Sequence, residues 1–206
     1  MKTLKPILLF FSLVFVGLIA TAQEIKQGDK TLSFLKEQTK INITYLYDGM
    51  MVGKMEEDDY KKEKIDYYNH KKPGKGKTWE DKWISNRANV YEPKFEDLIN
   101  RMLKKGKTNL VAAKGTKDAK YTIQVKTIVM EPGVNAVAMQ LVPYCNIEIS
   151  YLETATGKIM AKGLLIDMEG VEVNDDEYDF DPSGRVGECY AKAGKTVGNA
   201  ISKALD

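Results

Sequence analysis

The sequence predicts an α+β fold, a two-layer sandwich in which helices cover one face of a mainly antiparallel sheet of about four to five strands. Two segments, "YTIQVKT" from Tyr121 and "CNIEISY" from Cys145, alternate apolar and polar residues. Such alternation is typical of strands with one buried face and one solvent-exposed face. Elsewhere, from Phe95 and near the carboxyl terminus, apolar residues recur every three or four positions, as in helices that pack on one side.

The same periodicities place the individual elements. Apolar residues from Phe95 to Leu103, preceded by Pro93 and followed by Gly106, indicate the most clearly bounded helix. The other predicted elements are a short helix at 29–38, a strand at 41–47, a helix at 56–69, a loop at 72–77, a helix that opens with a capping box at Thr78 and Asp81, strands at 121–129, 145–151 and 159–166, and a helix from about Pro182 to Leu205. One domain of residues 23–206 is expected, with a helical insertion at about 54–91.

The amino terminus predicts a secretory signal peptide at residues 1–22. Lys2 and Lys5 precede an apolar run from Ile7 to Ala20, and small residues at 20 and 22 suit cleavage before Gln23. The run is too short for a comfortable membrane span, and no second one follows. An uncleaved amino-terminal anchor is the alternative. We therefore expect a protein that is soluble after cleavage, in the periplasm or secreted.

The charge balance argues against a broad nucleic-acid surface. The chain has 31 basic and 29 acidic residues, and loss of Lys2 and Lys5 with the leader leaves 29 of each. A neutral mature chain lacks the basic excess that binds polyphosphates or anionic membranes.

The segment "GKGKT" ends like a phosphate-binding P-loop at Gly76, Lys77 and Thr78. The full pattern requires a glycine five positions earlier, where this chain has Lys71, and a buried strand before the loop. The preceding "KKEKIDYYN" is too polar for such a strand. No nucleotide is expected to bind.

Four aromatic residues are the only candidate ligand site. Trp79 and Trp83, with Tyr67 and Tyr68 upstream, are spaced to form a platform for a sugar ring or another small ligand. Tryptophans four positions apart on an amphipathic helix also pack in cores.

Metal binding has one weak candidate. In an acidic loop predicted at 174–184, Asp179, Asp181, Ser183 and Gly184 occupy positions 1, 3, 5 and 6 of an EF-hand calcium loop, but Tyr190 stands at position 12, where a bidentate glutamate belongs. The alternative is a helix start at which Asp181 is the N-cap. We expect no metal, and no cofactor either.

Catalytic groups are scarce. The single histidine, His70, falls in a predicted loop, while Cys145 and Cys189 fall on apolar faces. The chain is therefore predicted not to be an enzyme.

A resemblance supports this view. The segments "DAKYTIQVKTIVMEPG", "ETATGKIMAKG" and "CYAKAGKTVGNAISKAL" resemble, in order, the elements of a group of envelope proteins. That group includes the amino-terminal domain of the Tol–Pal periplasmic translocation protein and the curli-secretion lipoprotein. The leader and overall pattern also resemble exported Bacteroidota proteins. The resemblance covers residues 41–47 and 95–205 and implies docking to other envelope proteins.

The two cysteines complete the predictions. Both face the same helix–sheet layer, and an oxidising compartment favours a bridge between Cys145 and Cys189. Two separate buried thiols are the alternative. The overall prediction is an exported, non-enzymatic envelope protein that acts through protein–protein contact, in assembly or as a scaffold. The rival is a glycan- or small-ligand-binding protein that uses Trp79 and Trp83.

Overall fold

The computed structural model describes residues 32–136, 139–171 and 180–206, so the predicted leader at 1–22 lies outside the described residues. The strands are β1 (Lys40–Leu46), β2 (Met51–Val52), β3 (Met55–Glu56), β4 (Val111–Lys114), β5 (Tyr121–Glu131), β6 (Val134–Ala136), β7 (Met139–Leu141), β8 (Tyr144–Glu153) and β9 (Ile159–Glu169). The helices are α1 (Glu57–Lys71), α2 (Lys75–Asn86), α3 (Glu92–Lys105) and α4 (Ser183–Leu205), with a 3-10 turn at Leu32–Leu35 and a π-helix at Arg87–Tyr91.

Seven strands form one mixed sheet, and β6 and β7 form a separate two-stranded ribbon. The long strand β5 lies at the centre, with β8 and then β9 antiparallel on one side. On the other side β1 runs parallel to β5, and β4 runs parallel to β1. The two-residue strand β2 continues along the same edge of β5, also parallel, and pairs with β3.

The α+β class and the helical layer are therefore confirmed, but the expectation of a mainly antiparallel sheet is wrong. Three helices connect β1 to β4, and a connection of that length allows the chain to return in the same direction. The sheet also has more strands than predicted, because β4 and the two-residue strands went unrecognised.

The core lies between one face of the sheet and helices α3 and α4. Ile43, Ile123 and Ile149 point from β1, β5 and β8 into this layer and are buried. Helices α3 and α4 pack on each other through Phe95 and Ile99 on one side and Gly194 and Gly198 on the other. A Cβ atom at Gly194 would collide with the Phe95 carbonyl oxygen. The two helix backbones therefore touch.

Helix α3 also closes one edge of the sheet. The Asn100 side chain accepts a hydrogen bond from Ala112 N–H at 2.9 Å and donates one to the Ala112 carbonyl oxygen at 2.7 Å. Glu96 accepts another from the Lys114 N–H at 3.2 Å. Strand β4 thus has side-chain partners where an edge strand usually has none.

Most predicted helices are confirmed. Helices α1, α3 and α4 begin and end within two or three residues of the predicted limits, and residues 57–91 are helical apart from the turn at 72–74. Two details of this region are wrong. Helix α2 begins at Lys75, inside the predicted loop, and Thr78 is not part of a capping box. Its hydroxyl instead contacts the Gly74 carbonyl oxygen at 3.4 Å.

Candidate functional site

The turn between α1 and α2 explains the glycines of "GKGKT". Gly74 has a φ of +81°, a left-handed conformation that glycine adopts without strain. The Gly76 N–H donates to the Asn69 side chain at 3.0 Å, and a Cβ atom at Gly76 would collide with the Ile65 carbonyl oxygen. These glycines allow α2 to fold back tightly against α1, and Lys77 forms an exposed ion pair with Asp81.

The aromatic residues form the core of this helical hairpin. The rings of Trp79 and Trp83 stack with centroids 5.5 Å apart, and Tyr68 stacks on Trp79 at 6.1 Å. Only 1% of Trp79 and 3% of Trp83 is exposed, and the Trp83 Nε1–H donates to a Glu57 carboxylate oxygen at 2.6 Å. A platform made by these two tryptophans would need exposed rings, so the arrangement matches the core-packing alternative.

Tyr67 is the exception among the four candidates. It is 49% exposed and lies on the outer side of α1, where the Lys71 ammonium sits 4.3 Å from its ring centroid. His70 follows in the last turn of α1, not in a loop, and its Nδ1 lies 2.7 Å from the Asp66 carbonyl oxygen. The structure therefore does not bring the four aromatic residues together on one accessible surface.

The candidate calcium residues Asp181 and Ser183 lie at the start of α4. Asp179 lies outside the described residues. The Asp181 carboxylate accepts hydrogen bonds from the Ser183 N–H and the Asn86 side chain, both at 3.0 Å, and lies 3.4 Å from the Lys82 ammonium. Burial opposes ionisation of Asp181, but these partners outweigh it and lower its pKa. Its oxygens are occupied by protein donors. The predicted alternative, with Asp181 as the N-cap, is one residue off, because Pro182 holds that position and the Asp181 carboxylate reaches the Ser183 N–H from the residue before it.

A buried group of hydroxyls lies where α4 meets the sheet. The rings of Tyr91 and Tyr190 stack in parallel at 5.0 Å, and the Tyr190 hydroxyl is 2.6 Å from that of Thr127. Burial raises the pKa of both phenols well above the usual value. Both phenols are therefore neutral at physiological pH; the Tyr190 hydroxyl contacts Thr127, whereas the buried Tyr91 hydroxyl has no hydrogen-bond partner among the described residues.

Beside these tyrosines lie both cysteines, as free thiols. Cys145 is in β8 and Cys189 is in α4, and neither side chain is exposed to solvent. The sequence correctly places both in the helix–sheet layer. The disulfide between Cys145 and Cys189 therefore stays a prediction.

The face of the sheet opposite the helices is accessible. We call it the open face and define it by one residue from each of five strands: Val111, Thr44, Gln124, Glu148 and Leu164, in the order β4, β1, β5, β8 and β9. All five are partly or fully exposed. A Glu148–Lys162 ion pair of 2.7 Å crosses it.

Exposed apolar side chains flank the open face at both edges. Val111 is 57% exposed on β4, and Leu164 is 41% exposed on β9, where Ile159 and Ile166 are also exposed. No sequence motif marks this surface. A signal was present, because "GLLI" in β9 puts apolar residues on both faces of a strand, beyond what one core requires.

The described residues also bear on metal sites and membrane spans. Within residues 32–136, 139–171 and 180–206, no three acidic, cysteine or histidine side chains are grouped as metal ligands. In the same ranges, no helix combines the length and apolarity needed to cross a membrane.

Comparisons add no relative from which a function can be transferred. No protein-family model matches the chain, and a search of curated proteins finds no match. The resemblance to the Tol–Pal and curli-secretion domains therefore stays a prediction.

Proposed function

We propose that this chain is an exported protein of the bacterial cell envelope that acts by contact with another envelope protein. The open face of the sheet is the contact surface. The observation that carries the proposal is the set of exposed apolar side chains at its edges, Val111 on β4 and Leu164 on β9. Apolar residues that are contiguous with a polar, solvated face are typical of a protein-binding surface.

The composition of the open face indicates the kind of partner. Glu148 and Lys162 pair between β8 and the edge strand β9, and Lys126 of β5 lies opposite Glu148. Gln124 and Thr44 add neutral polar groups on β5 and β1. A partner of matching chemistry presents apolar side chains toward Leu164 and polar groups toward the middle strands. Such a mixed surface suits reversible docking better than a permanent interface, which is more apolar.

The leader supports the cellular part of the proposal. The charged head, short apolar run and small residues before Gln23 direct the chain to export, and the resemblance to periplasmic docking domains points to the same compartment. The ligand-binding rival has less support, because Trp79 and Trp83 are buried in the α1–α2 hairpin.

Site-specific photocrosslinking in intact cells tests the contact surface. A photoreactive amino acid replaces Leu164 in the full chain, and the matched control carries it at Lys62, an exposed residue of α1. We expect a discrete crosslinked protein from position 164 and none from position 62. Equal labelling at both positions, or none at 164, would contradict the proposed surface.

Cell fractionation tests the export. The mature protein should leave the cytoplasm with Gln23 as its first residue, and a chain that lacks residues 1–22 should stay inside. A full-length chain retained uncleaved in the cytoplasm would refute the envelope assignment.

A further inference from the structure

The two cysteines occupy a junction between the layers. Cys145 stands near the start of β8, between Met130 of β5 and Met168 of β9. Cys189 lies in the second turn of α4, on the side of the helix that is buried against the sheet. Both are fully buried within the same apolar cluster.

The two cysteines lie in the same part of this layer. Tyr190, the residue after Cys189, has its hydroxyl 2.6 Å from that of Thr127 on β5, and Met130 of the same strand pairs with Cys145. Burial raises the pKa of the Cys145 thiol, and the adjacent Cys189 raises it further. Its dry surroundings hold the Cys145 thiol in the protonated form, in which it is a poor nucleophile.

We propose that Cys145 and Cys189 form an intramolecular disulfide that joins α4 to β8. The fold brings both thiols into one buried cluster where α4 packs on β8, which is the arrangement that a bond between these two elements requires. The oxidising compartment rests on the proposed export, whereas the pairing itself rests on the position of the two thiols.

The reaction is a thiol–disulfide exchange with a small or protein disulfide as the oxidant. One cysteine thiolate attacks the oxidant, forms a mixed disulfide and releases one oxidant thiol. The second cysteine thiolate then attacks its partner's sulfur in the mixed disulfide and releases the other oxidant thiol. Two cysteine thiols are oxidised to one disulfide, and their two electrons and two protons reduce the oxidant to a dithiol or to two thiols.

Burial determines when the bond forms. In the folded protein neither thiol is accessible to an oxidant, so the exchange precedes or accompanies the docking of α4 on the sheet. Once closed, the bond is shielded from reductants in the same way. It is therefore formed during folding and does not respond to later redox changes.

Refolding tests the pairing independently of export. The protein isolated from cells is denatured, reduced, and refolded in a mixture of reduced and oxidised glutathione. We expect no free thiols when the refolded chain is denatured again and titrated, and proteolysis should release one pair of linked peptides that contain Cys145 and Cys189. Each single variant, Cys145→Ala and Cys189→Ala, should retain one thiol.

Two results would overturn the pairing. One is a refolded protein, native by circular dichroism, that still has both thiols. The other is linkage between chains on a non-reducing gel. Because both results come from the wild-type chain, they do not depend on whether the variants fold.

A second experiment distinguishes the disulfide pairing from the proposed export. Thiols are counted in protein isolated directly from cells under alkylating conditions. No free thiols supports both the pairing and the export. Two free thiols in a chain that forms the bond on refolding would refute the oxidising location and leave the pairing intact.

Discussion

Asp181 connects three elements through one carboxylate. Its oxygens contact the first N–H of α4, the Asn86 side chain at the end of α2, and the Lys82 ammonium. A negative charge at this position also faces the positive end of the α4 dipole. The side chain therefore stabilises the fold most when it is ionised.

Replacement of Asp181 by Asn should lower the free energy of unfolding at pH 7, by up to about 1 kcal/mol. Asparagine keeps an acceptor for the Ser183 N–H but removes the charge. Because the folded-state pKa of Asp181 lies below 3.8, the contribution of the charge is complete above that pH and is lost as the pH falls through the folded-state value.

Urea unfolding from pH 7 to pH 3 measures this effect. The difference between wild type and Asp181→Asn should shrink as the solution is acidified. Asp97→Asn, at an exposed carboxylate on α3, serves as the control and should change stability little. A difference that stays constant with pH would show that the carboxylate acts only as a hydrogen-bond acceptor.

The α1–α2 hairpin is stabilised by its aromatic rings. Trp79→Ala should lower the free energy of unfolding by about 3–5 kcal/mol, because it leaves a cavity between Tyr60, Tyr68 and Trp83. Tyr67→Ala, at the exposed ring, should cost less than about 1 kcal/mol. Chemical denaturation checks both values. Similar, small losses for the two variants would mean that Trp79 is not a core residue.

The contact between α3 and α4 depends on glycine. Gly194→Ala should lower the free energy of unfolding by about 1–3 kcal/mol, because its Cβ would collide with the Phe95 carbonyl oxygen. Gly184→Ala in the first turn of the same helix has open space around it and should change stability by at most about 1 kcal/mol, towards a more stable protein. Thermal melts of the two variants should therefore shift in opposite directions.

These elements also show what the sequence does and does not reveal. Helix α3 and strands β5 and β8 were predictable, because a single covered face imposes a clear period on 10 or more residues in each strand. Strand β4 has only four residues, too few for a period to emerge. Alternation also reports which face is covered but not the direction of the neighbouring strand, so parallel pairing of β1 was missed.

The candidate surfaces follow the same logic. The spacing of Trp79 and Trp83 shows that they share a helix face, but not whether another helix covers it. The open face depends on residues from five strands, from Val111 to Leu164, that are brought together only by the sheet order. Such a surface has no contiguous sequence motif.

For the molecule as a whole, the state of Cys145 and Cys189 should set a large part of the stability. In the chain-entropy model, closing the loop between them stabilises the folded protein by about 4 kcal/mol. Guanidinium unfolding of the wild-type protein should show a lower midpoint after the bond has been reduced under denaturing conditions and the chain refolded with reductant. An unchanged midpoint would mean that the bond is absent or strained.

Strand β1 has a further consequence, for the kinetics of folding. It is the first strand of the main sheet to be synthesised, yet its neighbours β4 and β5 begin at residues 111 and 121. A nascent chain therefore carries an interior strand with two unpaired edges until more than half of its length has emerged from the ribosome. Pairing at such separation is slow, because the closure of long loops must come first. The main sheet can therefore be completed only after β4 and β5 have been synthesised.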